Sequence, residues 1–600
     1  MTVFVIGQCT LHWGRMEFGN IGNYYIAEPM FRELHRVFPG ATIKTTFQMS
    51  QDFCDREHVE CVAMGEYYGW KNDDLTIARQ EYAAAKAYAE TGELRIHTPF
   101  IDDCLSSDVV VDFSGDIWGK NADLVGPNRF EVGLLKDRTA QLLGKPTAMI
   151  AGSPGPFNRD DNLDLAHEVL NGFKYVSNRE PVSRSVLLNY GFDVGKVVDR
   201  TCPAFMFEPV SVESIKPLLA GTRLLEKARP TIGFILCGWN MLKGPFNRTD
   251  WHDDEFSAYV EALRTFVKKY DVNVCLMSHS NGFEIPPKPF KMLRGRDYVI
   301  VEQLFNILKN TDIADHVELL DGVYSAKETK AIISKFDMLV SGRVHGAVAG
   351  LSQSIPTVII DYGHEPKAHK LKGFASVANV SKYVAVPGVE NDLFEKMESV
   401  WNNRDSISLM LAERNIWIRN ECRRQFDELR CALLENGERP LASASHKDLN
   451  RIVVGAEEGC VRHCSPQELP AEFIRSMITR IHHEYFETKP YDYDPVEWSK
   501  KLSSNAEALL IPDGCLFGYC NDFSGRCGFI SYIGHLKSCP KGSGRRLHNA
   551  FVELSRSRGM RGIRLEVLKD NFHAREFYDR IGYVVIEDHG DKLLMELTLD

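Results

Sequence analysis

Short apolar runs that stop at small or polar residues alternate with segments of helical periodicity from the first residue onward. "TVFVIG" (2–7) has the continuous apolar character of a buried strand, and "IAEPMFRELHRVF" (26–38) repeats its apolar positions at helical spacing. "DVVVDFSGD" (108–116), "KPTAMIAGS" (145–153) and "FKYVSNRE" (173–180) continue the series. Each breaks where the loops above a parallel sheet form a site. After a less regular stretch (206–229) a second series begins, with "TIGFILCGW", "VNVCLMSHS", "HVELLDG", "DMLVSGR" and "PTVIIDY" separated by helical segments such as "AKETKAIISKF". Two successive α/β series of about 200 residues each predict two doubly wound, Rossmann-like halves, 1–215 and 216–436, with a cleft between them. Long helices over 392–436 close the second half.

The pattern then changes. "GERPLASASHKD" (437–448) is polar and carries Pro and Ser, as a linker does. Beyond it, "RIVVGAEEG" reads as a strand and "PQELPAEFIRSMITRIHHEYFE" as a helix; several short strands and the helix "GRRLHNAFVELSRSRG" follow. These predict a separate α+β domain over 449–600.

Composition narrows the function classes. A chain of 600 residues with 44% hydrophobic and 26% charged content is an ordinary soluble globular protein. A formal net charge of -11 argues against a nucleic-acid partner but leaves small acidic substrates open, since these need only a local cationic pocket. No apolar run reaches the length of a membrane span, so only peripheral membrane association stays open. The N-terminus lacks the basic and long apolar segments of a signal peptide, and the fifteen cysteines have no repeated spacing. A cytoplasmic protein with reduced thiols is expected. "CVRHC" (460–464), with His463 between the cysteines, has no second ligand pair, so no metal is expected. Oligomeric state is not legible.

Candidate chemistry concentrates in "LVSGRVHGAVAGL" (339–351), where an arginine and a histidine interrupt an apolar, glycine-rich stretch. A buried guanidinium is expensive unless something pairs with it. Arg343 and His345 fall on a strand-to-helix turn and face the same way if the backbone there is extended. Gly346, Ala347 and Gly350 let the helix approach the sheet and a ligand closely. A doubly charged phosphate–carboxylate ligand suits this pair; the alternative is a core arginine paired with an acid such as Asp337 beside a satisfied histidine. Gly19, Asn20, Gly22 and Asn23 frame a turn into a helix, which offers N–H groups to an anion or is simply a turn. Arg179 ends a strand, as an anion contact or as an ion-pair partner of Glu180, and His279 stands where a buried strand ends.

The set "GNIGN", "VVDFSGD", "SNREPVS", "VVDRTCPAF", "VYSAKETKAIISKFDMLVSGRVHGAVAGLSQSIPTVIIDY" and "HEPKAHKL" resembles the polysaccharide pyruvyl transferase family, from about residue 2 to about 435. The resemblance implies a fold like that of the GT-B glycosyltransferases. It also implies transfer of the enolpyruvyl unit of phosphoenolpyruvate to a sugar hydroxyl, usually leaving a pyruvate ketal and releasing phosphate. By it, Arg343 clamps the donor's phosphate or carboxylate and His345 is the general acid, which needs a proton near neutral pH. Arg179 becomes a second anion contact, and the Gly19–Asn23 loop a binding element. The family's double glycine after the third strand is here "DFSGD", with Gly115 alone, and the resemblance implies substrate contacts at Asp116. A nucleotide-sugar-dependent glycosyltransferase is the alternative for such a two-half cleft.

In the last domain Gly542 and Gly544 precede a helix, so N–H groups and the helix dipole can cradle a pyrophosphate. Followed by "LEVLKDNFHAREFYDRIGY", this loop resembles the GNAT family of acetyl-coenzyme A-dependent N-acetyltransferases over about 450–600. The resemblance implies that Lys541, Gly542, Ser543, Gly544, Arg545 and Arg546 hold the pyrophosphate and that Asn571 contacts the pantetheine arm. Tyr578 takes the place of the general acid for the leaving thiolate. Residue types alone leave Asn571 as a helix cap and Tyr578 as a packing aromatic. Cys539 and Pro540 stand where the family has Gln or Arg at the loop start. Glu566 and His535 are candidate bases. Fusion of the two regions suggests one glycan precursor, nucleotide- or lipid-linked, that is pyruvylated on a hydroxyl and acetylated on an amine; alternatively the last domain is a non-catalytic binding module.

Overall fold

The structure is a computed structural model. It describes residues 1–7, 14–158, 162–226, 228–241, 248, 250–363, 368–434, 461–464, 469, 471–485, 494–511, 514–522, 525–537, 539–540 and 542–599. The chain packs into two compact units, Met1–Glu438 and Arg439–Asp600.

The first unit holds two parallel sheets. One contains β1 (Thr2–Ile6), β2 (Thr42–Thr45), β3 (Val59–Cys61), β4 (Val109–Asp112), β5 (Thr147–Gly152), β6 (Tyr175–Asn178) and β7 (Val197–Asp199), in the order β3-β2-β1-β4-β5-β6-β7. β8 (Thr231–Ile235) and β9 (Asn273–Met277) are followed by the antiparallel ribbon β10 (Asn281–Phe283) and β11 (Met292–Arg294). Then come β12 (Val317–Leu320), β13 (Met338–Ser341), β14 (Thr357–Ile360) and β15 (Val384–Ala385). The second parallel sheet runs β12-β9-β8-β13-β14-β15. Both sheets therefore repeat one doubly wound order, as the alternation of elements predicts. Strand order reverses between β1 and β4 in one sheet and between β8 and β13 in the other, and ligands of such sheets bind at the carboxyl ends there.

The central strands are buried on both faces, with Val109, Val110 and Val111 of β4 each 1% exposed or less. One apolar core runs through both halves, from Val3 to Leu433. The closing helix Arg404–Leu434 returns to the first half: its Glu428 accepts from the Tyr175 hydroxyl at 2.9 Å and from Arg200 Nε at 3.0 Å.

Element ends differ from the expected ones for local reasons. β4 stops at Asp112 because its carboxylate accepts the Ser114 N–H at 3.0 Å, an Asx turn, and Gly115 follows at φ +62°. The first helix begins at Ile21, where Asn20 caps it.

The second unit is α+β, with strands β16 (Arg462–Cys464), β17 (Glu507–Ile511), β18 (Gly514–Asp522), β19 (Cys527–His535), β20 (Gly562–Leu568), β21 (Val584–His589) and β22 (Lys592–Thr598). Their order is β16-β17-β18-β19-β20-β22-β21, antiparallel except for β19 and β20. That parallel pair spans only Cys527↔Gly562 to Ile530↔Leu565, beyond which the two strands pair no further. The helix expected after the glycine loop spans Ser543–Ser557. The linker 437–448 and the strand expected at 451–459 lie outside the described residues.

Candidate functional site

β13 delivers Arg343 and His345 as the sequence suggests: the strand ends at Ser341, and the helix Val344–Leu351 begins behind Arg343 as its N-cap. Gly342 is required here, because a Cβ would stand 2.0 Å from Asn240 Oδ1, which accepts the Cys237 N–H just past β8.

Arg343 already has a counter-charge. Its Nε and Nη2 donate to the two carboxylate oxygens of Asp297 at 2.8 and 2.5 Å, and the Asp297 side chain is fully buried. The acid that pairs with it is therefore Asp297 and not Asp337, whose carboxylate instead accepts the Thr231 N–H. Asp297 opens the helix Arg296–Leu308, and its own N–H donates to Ser280 Oγ. A bidentate pair of this kind holds the guanidinium plane in one orientation.

His345 sits against the start of the first helix: a Cβ on Gly22 would stand 2.4 Å from its Nδ1. Its ring meets Phe374 edge-on at 5.9 Å, and its Nε2 is buried without a hydrogen-bond partner among the described residues. Burial, then Arg179 and Lys370, hold the imidazole well below the ordinary histidine range, against the pull of Asp116. The imidazole is therefore neutral at neutral pH, which corrects the expectation of a proton there. His279 is likewise buried, edge-on to Tyr25 at 5.5 Å, its Nε2 without a partner among the described residues. Burial and Arg343 bring its pKa down to about 3.

Arg179 is 2% exposed, far from a surface ion pair. Its Nε donates to Ser153 Oγ at 2.9 Å, its Nη2 lies 3.5 Å from Asp116, and its guanidinium stands 5.5 Å from the Phe374 ring centroid. Glu180 does not pair with it, because its carboxylate accepts the Val182 and Ser183 N–H groups at the start of the helix Val182–Asn189. Asp116 also receives Lys370 Nζ at 2.5 Å, from the helix Ala368–Val377 of the other half. A cationic cluster of Arg179, Lys370 and Arg343 thus surrounds two neutral imidazoles where the halves meet, with Asp116 and Asp297 as its counter-charges.

The glycine–asparagine loop is placed differently from a phosphate cradle. The Gly19 carbonyl accepts the Asn281 N–H at 3.1 Å, Asn20 Oδ1 caps the helix by accepting the Gly22 N–H at 3.1 Å, and Asn20 Nδ2 donates to Asn23. Gly22 acts by leaving room for His345. Sequence reasoning missed Asp297, Ser153, Lys370 and Phe374. Lys370 was within reach, inside "HEPKAHKL"; Asp297 carries no local signal, since only folding brings it to Arg343.

In the second unit Gly542 (φ +94°) opens the Ser543–Ser557 helix, Ser543 Oγ donates to the Pro540 carbonyl at 2.7 Å, and the side chains of Arg545 and Arg546 are exposed beside the turn. Gly544 faces His535, whose Nε2 would lie 3.6 Å from a Cβ there. Lys541 lies outside the described residues, as does Cys460. Asn571 Oδ1 accepts the Ala574 N–H at 3.1 Å, so the side chain is a helix cap and keeps only its NH2 group for a ligand. Tyr578 is buried against Tyr583 and Phe577, and burial raises its pKa above the usual tyrosine range. Glu566 faces His589 Nδ1 at 3.2 Å, while His463 pairs with Glu507 at 2.7 Å.

A family model described as "Polysaccharide pyruvyl transferase" matches residues 20–364, and one described as "Acetyltransferase (GNAT) family" matches residues 471–583. A search of curated proteins finds no match. Among solved structures, a glycosyltransferase from Rickettsia africae is 14% identical, with 73% of this chain and 99% of that one covered at a TM-score of 0.43. The Anabaena protein HepE in complex with UDP is 11% identical, covering 72% and 98% at 0.43. A putative GNAT-family acetyltransferase from Desulfovibrio desulfuricans is 15% identical, covering 24% and 100% at 0.20.

Proposed function

Because this chain belongs to the polysaccharide pyruvyl transferase family, we propose that its first unit transfers the enolpyruvyl unit of phosphoenolpyruvate to a glycan hydroxyl. The observation that carries this reading is His345: a buried, neutral imidazole whose Nε2 has no hydrogen-bond partner among the described residues, flanked by Arg179 and Lys370. Such a group, depressed by burial and by neighbouring cations, is drawn toward the protonated form when a multiply charged anion enters beside it. Phosphoenolpyruvate, with a phosphate and a carboxylate, is an anion of that kind.

In this mechanism the donor takes the field of Arg179, Lys370 and Arg343, and its arrival lets His345 pick up a proton. A sugar hydroxyl attacks C2 of the enolpyruvyl unit, forming a C–O bond, while the imidazolium delivers its proton to C3 and makes the methyl group. The hydroxyl proton passes to water. A second hydroxyl of the same sugar then attacks C2, the bond from C2 to the phosphate oxygen breaks, and that hydroxyl's proton leaves with the phosphate. The product is a cyclic pyruvate ketal plus inorganic phosphate. Arg343, held flat by Asp297, stabilises charge on the departing group without reorienting.

The second unit, in the same reading, moves an acetyl group from acetyl-coenzyme A to an amine. The turn at Gly542 and the start of its helix receive the pyrophosphate, and Tyr578 returns a proton to the leaving thiolate.

The test is incubation of the full chain with both donors and a panel of amino-sugar precursors, followed by phosphate and thiol assays and product mass spectrometry. Acceptor-dependent phosphate release with a pyruvylated product is expected, reduced about 10²–10³-fold in Arg179→Ala. Release of nucleotide from a nucleotide sugar, with none of phosphate from phosphoenolpyruvate, overturns the pyruvyl reading.

A further inference from the structure

The segment after β3 carries a feature outside the cationic cluster. Trp70 is 46% exposed and adopts φ +60°, a left-handed conformation that is an outlier for a bulky aromatic residue. It is not a loose surface side chain. The buried guanidinium of Arg129 lies 5.8 Å from the Trp70 ring centroid and 5.0 Å from that of Tyr68, and the two rings meet edge-on at 6.3 Å. Tyr68 is pinned by its hydroxyl, which donates to the Pro127 carbonyl at 2.9 Å. A Cβ on Gly126 would stand 2.4 Å from that hydroxyl, so glycine makes the contact possible. The loop is fastened on its other side too, where Lys136 Nζ donates to the Glu66 carbonyl at 2.8 Å.

Strained backbone persists only where its surroundings over-determine it, and such outliers gather at ligand sites. Here the strain presents an indole to solvent with a cation and an aromatic edge behind it. The position is also informative. The loop 62–73 leaves the carboxyl end of β3, and Pro127 ends a strap that leaves the carboxyl end of β4. That strap begins at Gly115 and Asp116, in the cationic cluster, and Asn121 Nδ2 donates to the Asp116 carbonyl along it. Tyr68 and Arg129, which back the indole, thus lie at the far end of a segment whose near end is in the candidate donor site, and both loops leave the carboxyl ends of strands of the same sheet.

We propose that Trp70 is a stacking platform for a pyranose ring of the acceptor glycan. The chemistry favours a sugar: a pyranose offers an apolar C–H face to an indole and hydroxyls at its rim. The exposed neighbours Lys71, Asn72, Asp73 and Asn128 are short or flexible polar groups suited to those hydroxyls. One ring with a polar border does not make the broad apolar patch that a protein partner requires. The inference rests on the reading that the first unit modifies a glycan.

The test applies fluorescently labelled full-length protein to a glycan array, as wild type, Trp70→Ala and Trp70→Phe, with phosphoenolpyruvate affinity measured separately by calorimetry. Wild type is expected to bind a subset of glycans, Trp70→Ala to bind them about tenfold more weakly, and Trp70→Phe to recover much of the loss. Phosphoenolpyruvate affinity is expected to be equal in all three. Equal glycan binding by wild type and Trp70→Ala overturns the platform, as does a wild type that binds no glycan. Trp70-dependent glycan binding without any affinity for phosphoenolpyruvate supports the platform while overturning the donor reading.

Discussion

At the scale of single residues, the cluster is ordered by which charges are matched inside the protein and which groups stay neutral. Arg343 meets Asp297, 46 residues earlier in the chain, in a bidentate pair, while His279 and His345 lose their protons to burial and to the cations around them. That asymmetry has a pH signature. A histidine whose folded-state pKa is depressed leaves the unfolded chain to bind the proton first, so stability is lost as pH falls below about 6.5. For His279, held at about 3, the loss is on the order of 1 kcal/mol per pH unit between those limits. Buried acids such as Asp112, pushed up to about 7 by burial, bend the curve the opposite way. The measurement is therefore a comparison: chemical denaturation between pH 7 and pH 5 is expected to show a shallower loss in His279→Gln than in wild type. The arginine–histidine pair was visible in "SGRVHG" as a charge without an obvious partner. Its true counter-charge was not, because Asp297 lies in "RGRD" with nothing local to mark it.

Among elements, close approach is bought by glycine. The Ile21–Val37 helix and the Val344–Leu351 helix come from different halves, and His345 fits only because Gly22 has no side chain. Asn20 caps the first of these helices, which places Gly22 in its first turn. Gly22→Ala is expected to keep the fold, at a stability loss of about 1–3 kcal/mol. Displacing the imidazole is expected to lower the rate of transfer about 10²-fold. Thermal melts and steady-state kinetics on the same preparation separate the two effects; a full-rate Gly22→Ala would show that His345 need not be held there. "FGNIGNYY" signalled a turn into a helix through its asparagines and glycines. That its second glycine serves a histidine more than 300 residues away depends on how the helices cross, which no local pattern encodes.

For the whole molecule, the two units have separate apolar cores, one running from Val3 to Leu433 and others confined to the residues from Cys464 onward. Separate cores unfold as separate cooperative blocks. Calorimetry of the full chain is expected to show two transitions, of which acetyl-coenzyme A at about 100 times its Kd raises only one, by about 2.7 kcal/mol. A single transition, or a shift of both, would show that the units melt together. The sequence by itself determined the architecture: alternating buried strands and helices impose two doubly wound sheets, and the altered pattern in the last quarter of the chain marks a different α+β unit. Hydrophobic periodicity is a local property, so it reads without the fold. Tertiary structure alone decided how the site is wired. It set Asp297 against Arg343, brought Lys370 to Asp116 and left His345 neutral. Charge pairing and desolvation depend on distances of a few ångströms between residues far apart in the chain, and only packing sets those distances.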